Sequence, residues 1–252
     1  MAVAVVLGLA TLTFLRASDW KSKTEWIVSE VENHPESKRA NFHAAQLAMQ
    51  WLENHEQVDQ VYQLARSHFE KILSIDTNNP DALFGLIILN LHVQRAPESE
   101  WVDNLEYELS NGAIDASRFT VSQFSFLVRW HLAGAYPMPE GAMTRLFDAV
   151  EKNRRLGNPA RAGILAARSA YVDRVLKQPE KALPFAKGAV RYWPQRWHYR
   201  KRYAQLLMRL QRWEEAVAVL QQGIEQPLAE NQRQEALHLV EAAESRRQGR
   251  LD

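Results

Sequence analysis

Cysteine is absent from the chain, which excludes disulfides, thiolate metal sites and a cysteine nucleophile together. That absence leaves the compartment open, because a helical array folds without disulfides on either side of a membrane. Glycine and proline are scarce, ten of each in 252 residues. β-Branched runs of strand length are nearly missing after the first few residues, so sheet classes lack their usual material. A glycine-rich phosphate loop, a His-Glu-x-x-His pair and a Gly-x-Ser-x-Gly elbow do not occur. The eight histidines, at 34, 43, 55, 68, 92, 131, 198 and 238, never fall three or four residues apart. No two therefore share a helix face as metal ligands would. No catalytic, cofactor-binding or metal-ligating residue is assigned, and the chain reads as a binding protein and not an enzyme.

What is present points to helices. Hydrophobic residues make up 46% and charged residues 24% of the chain, enough apolar surface for a buried core and too much for wholesale disorder. Long stretches rich in Ala, Leu, Gln, Glu and Arg favour an all-α fold. Hydrophobic spacing and caps predict helices near 24–33, 38–53, 57–75, 80–94, 98–110, 117–133, 140–156, 159–176, 179–192, 195–210, 213–225 and 231–247. The net charge of +1 hides an asymmetry. Residues 1–150 carry 11 Lys and Arg against 19 Asp and Glu, and residues 151–252 carry 20 against 11. The C-terminal part is thus the one to attract an anionic partner, unless surface charge has merely drifted along the chain.

Internal periodicity is clearest near the C-terminus. Ala182, Ala186 and Ala189 return 34 residues later as Ala216, Leu220 and Gly223. Spacings of four and three put each trio on one helix face, where small side chains let a partner helix approach. Upstream, Ala65, Phe69 and Ile72 repeat the pattern and lead into Asp76-Thr77-Asn78-Asn79-Pro80, a polar turn with proline placed to open the next helix. Ala142, Leu146 and Ala149 give a weaker echo. The 34-residue period and the Asn-Asn-Pro junction resemble those of tetratricopeptide repeats. The resemblance implies antiparallel helical hairpins stacked into an α-α superhelix, a protein- or peptide-binding scaffold whose first helices line a groove. Five segments follow: an apolar start at 1–16, hairpins at 17–94, an irregular part at 95–158, two clear repeats at 159–230 and a capping helix at 231–252.

Residues 1–15 carry no charge, yet a helix of that length spans only about 22 Å, short of a bilayer core of roughly 30 Å. A signal peptide, a buried helix and the end of a transmembrane helix are all readings of it; the last is preferred. The reason is the stretch containing Arg16, Trp20, Trp26, Pro35, Ser37, Arg39 and Ala40. It resembles the boundary between the last membrane helix and the first repeat in multi-spanning glycosyltransferases that carry tetratricopeptide repeats, such as the transmembrane O-mannosyltransferases. This resemblance implies a membrane-anchored recognition domain on the periplasmic side, and no catalytic residue comes with it. Arg16, Lys21 and Lys23 follow the apolar run, which by charge alone would favour the cytoplasmic side. A free-standing envelope or pilus assembly factor is the alternative.

One stretch concentrates cations and aromatics: between Arg191 and Arg202 lie five Lys or Arg, one His and four aromatic residues. Helical spacing sets His198, Lys201, Gln205 and Met208 on one face and Tyr199, Tyr203, Leu206 and Leu210 on the core face. Arg196, His198, Lys201, Arg202 and Gln205 are the expected partner-binding residues, suited to carboxylate or phosphate groups on an acidic protein or peptide. Arg200 is expected to add a further exposed charge. The competing reading packs Trp193, Trp197 and Tyr199 between hairpins and leaves the cations solvated. Nucleic acid is disfavoured because most of the aromatics look buried.

Overall fold

The computed structural model describes residues 5–6, 22–52, 57–112, 118–133 and 138–249. Among them are twelve α-helices and one π-turn, without strands. The helices are α1 (Lys23–Asn33), α2 (Lys38–Trp51), α3 (Val58–Ile75), α4 (Pro80–His92), α5 (Ser99–Asn111) and α6 (Arg118–Leu132). They continue as α7 (Ala142–Lys152), α8 (Asn158–Ala170), α9 (Pro179–Tyr192), α10 (Trp197–Arg209), α11 (Trp213–Ile224) and α12 (Glu230–Gln248). Every predicted helix has a counterpart here. One expectation needs correction: the eighth helix was expected to run regularly to 176, but it gives way after Ala170 to a π-turn over Tyr171–Val175. The apolar run 1–15 lies outside the described residues except for Val5 and Val6, as do Arg16, Trp20 and Lys21. No helix among the described residues is long and apolar enough to cross a membrane.

The chain divides into two compact units, Met1–Glu108 and Leu109–Asp252. In the first, α2 pairs with α3, and α4 packs against α3. The turn expected to open α4 does so by capping. Asn79 accepts from the Ala82 amide at 3.1 Å, and Pro80 occupies a first-turn position where no amide donor is needed. Ser37 caps α2 in the same way, accepting from Ala40 N–H at 3.2 Å. Ala65, Phe69 and Ile72 are buried, as their spacing predicts. Phe69 presses so closely on α4 that a Cβ at Gly85 would sit 2.2 Å from its ring, so only glycine fits there.

The second unit contains the two clearest hairpins, α8 with α9 and α10 with α11, closed by α12 packed on α11. Ala182, Ala189, Ala216 and Leu220 are at most 1% exposed and Ala186 is buried at 6%, so both trios form the inter-helix faces that the period implies. Ser169 Oγ donates to Ala182 O at 3.1 Å across the first hairpin. In the second, a Cβ at Gly223 would meet Arg200 Cδ at 2.6 Å and Trp197 Cζ3 at 3.0 Å. The trio's third member is therefore alanine in one repeat and glycine in the next because a large cation fills the second gap.

Candidate functional site

The first helices of the hairpins, α8 and α10, together with α12 leave a cleft of about 440 Å³ in the second unit. Ala166, Ala186, Ala189, Leu206 and Leu239 give it apolar walls. Its polar lining comes from the π-turn and from α10. The π-turn closes with Leu176 N–H donating to Tyr171 O at 3.1 Å, the wider i→i+5 spacing that single-turn π segments show. That widening keeps Tyr171 and Val172 buried while Asp173 and Arg174 line the cleft. From α10 come Tyr199, Arg202, Gln205 and Arg209.

Charges in the cleft are unevenly paired. Asp173, its side chain only 10% exposed, forms an ion pair with Arg209. Arg174 reaches Asp173 only at 4.0 Å. Arg202 makes no hydrogen bond or ion pair with any described residue. Although solvent still reaches Arg202, partial desolvation and then the charge of Arg174 hold its guanidinium below the usual arginine range. Desolvation pushes the Tyr199 phenol upward, so its hydroxyl remains protonated and able to donate.

The five residues singled out in the sequence separate into three groups. Arg202 and Gln205 line the cleft. Lys201 is engaged elsewhere: its ammonium pairs with Glu235 of α12, which also accepts from Trp197 Nε1 at 2.9 Å. Arg196 stands at the start of α10 with its guanidinium 5.4 Å from the Trp193 ring. His198 is exposed beside Tyr199 and held below the usual imidazole range by desolvation first, then by Arg202, Arg196 and Lys201. Neither Arg196 nor His198 lines the cleft. Arg200 departs from expectation outright. It is buried at 6%, donating to Val219 O at 3.3 Å and Pro194 O at 3.4 Å, and acts as packing between α10 and α11. Its methylene stem fills the space beside Gly223, where a Cβ would lie 2.6 Å from Arg200 Cδ.

Asp173, Arg174, Tyr199 and Arg209 escaped the sequence reading as site residues. The period could have flagged one of them, since Arg174 lies 34 residues before Met208, another residue of the cleft. Asp173, its neighbour in the π-turn, left no such signal. Among the described residues, no group of three or more His, Asp or Glu is placed to hold a metal ion.

Residues 176–227, which hold α9, α10 and α11, match the family model described as Tetratricopeptide repeat. No curated protein matches the chain. With its hairpins, its buried small-residue faces and that match, the segment 176–227 is similar to a tetratricopeptide repeat, within a chain whose described residues form helices and no strands.

Proposed function

We propose that this protein is a binding scaffold and not an enzyme, and that it takes a segment of a protein partner into the cleft between α8, α10 and α12. The observation that carries this reading is an open cleft with apolar walls on the first-helix side of the repeat, lined also by Gln205 and by Arg202, which has no ion-pair partner among the described residues. Pockets of that kind, mostly apolar with a few convergent polar groups, are where ligands are oriented. Tetratricopeptide repeats generally bind proteins or peptides, which sets the partner class. The test is a plug. Gln205 is exposed in the cleft, so Gln205→Trp should fill it without unfolding the chain. Polypeptides captured from membranes by the unaltered chain should be lost with the plugged one. Identical capture by both would refute the cleft as the docking site.

A finer reading concerns the setting. The uncharged run 1–15 and the boundary-like residues Arg16, Trp20, Trp26, Pro35, Ser37, Arg39 and Ala40 support a membrane-anchored, periplasmic recognition domain of a glycosyltransferase-like protein. The full chain should then float with liposomes, while a chain beginning at Ser18 stays behind. Full-length protein that remains monodisperse in water without detergent would contradict the anchor and favour the assembly-factor reading.

A further inference from the structure

We propose that the cleft of the second unit contains an anion subsite at Arg174 and Arg202, and that the segment it takes carries two negative charges close together, flanked by aliphatic residues. This rests on the cleft being the docking site. The argument starts from a charge imbalance. Among the described residues that line the cleft, Arg174, Arg202 and Arg209 face a single carboxylate, Asp173, and Arg209 holds that carboxylate. Arg174 remains at 4.0 Å from it and Arg202 has no partner among the described residues. They come from different elements, the π-turn and α10, so no local helix pairing accounts for their convergence.

Two like charges brought together at the rim of apolar walls repel each other, and an oxyanion between them relieves that repulsion. Arginine forks suit that role because each offers paired N–H donors to one oxyanion. Gln205, exposed on the same wall, offers a neutral hydrogen-bonding group. Leu206 and Leu239 supply the surface against which an aliphatic neighbour would pack. A phosphorylated serine, with a charge of about −1.5 to −2 near neutral pH, meets this requirement, and so do two adjacent glutamates. The chemistry is shared and the source is what the experiment separates.

The probes are three fluorescent peptides of about nine residues in one leucine-flanked frame: phosphoserine, Glu-Glu, and plain serine. Anisotropy titrations use the full chain. At least one anionic peptide should bind roughly tenfold or more tightly than the neutral one, with an advantage that shrinks as salt rises. The tighter of the two identifies the source. Both arginines are exposed, so Arg174→Gln and Arg202→Gln should leave folding intact and remove most of that advantage. Lys187→Gln, an exposed cation of α9 outside the cleft, should leave it unchanged. Equal binding of all three peptides, or an advantage that survives in the double arginine variant, would overturn the subsite. Neither outcome touches the docking cleft itself, which stands or falls on the uncharged Gln205→Trp plug.

Discussion

Arg168 on α8 and Arg202 on α10 occupy the same place in consecutive repeats, 34 residues apart, yet the two arginines do opposite things. Arg168 pairs with Asp148 and Glu151, each at 2.7 Å, and lies 4.4 Å from the Phe185 ring. Only 13% of its side chain is exposed. It therefore ties α7, α8 and α9 together. Arg202 forms no ion pair with a carboxylate among the described residues and opens onto the cleft beside Tyr199. One repeat position can thus carry stability in one hairpin and recognition in the next, and the neighbours decide which. Asp148 and Glu151, supplied by the preceding helix, make the difference for Arg168.

The largest expected effect tests that contrast directly. Arg168→Ala leaves two carboxylates without their cation and removes a ring contact, which should cost about 2–3 kcal/mol in chemical denaturation. The same change at Arg202 should stay within about 0.5 kcal/mol. Equal costs would erase the distinction between the two repeats.

Packing between the hairpin helices comes next. Ala182 and its counterpart Ala216 are both fully buried, so Ala→Leu at either should cost about 1–3 kcal/mol by overpacking. Ala186 is a sharper probe because it also lines the cleft. A leucine there has open space on one side and should cost less than at Ala182. A larger penalty at Ala186 would mean that the cleft is not open beside it.

The smallest effect is on the attachment of α12. Hydrogen bonds from Lys201 and then from Trp197 hold the Glu235 carboxyl below its ordinary value near 4.5. A carboxyl depressed in the folded chain stabilises it above the unfolded value, and that contribution disappears as pH falls through the lower folded value. Glu235→Gln should therefore reduce stability at pH 7 by less than about 1 kcal/mol, since the pair is partly exposed. The difference between variant and parent should vanish in strong acid. A deficit that persists there would assign the effect to packing instead of charge.

Regular periodicity explains what the sequence reveals and what it hides. Helix faces follow from spacing alone, so Ala182, Ala216 and Phe69 are legible as buried before any contact is known. Asn79 and Ser37 are legible as caps because their chemistry acts within three residues. Arg200 is not, because its burial depends on the gap left by Gly223 more than twenty residues away. Lys201 is likewise hidden, its partner being on another helix at 235. Asp173 and Arg174 reach the cleft through a π-turn, a one-residue irregularity that a 3.6-residue period averages away. For the site, then, Arg202 and Gln205 of α10 are readable and Arg174 lies within reach of the 34-residue period, while Asp173 carries no signal that spacing shows.

Site-specific photo-crosslinking from inside the cleft addresses docking most directly. A photoreactive residue at Met208, which lines the cleft, is compared with one at Lys187 on α9, which does not. Illumination in native membranes should yield a discrete polypeptide adduct from position 208, none from 187, and loss of the adduct when Gln205→Trp is added. Adducts of equal yield from both positions, or an adduct at 208 that persists with the plug in place, would contradict the cleft as the surface where this protein meets its partner.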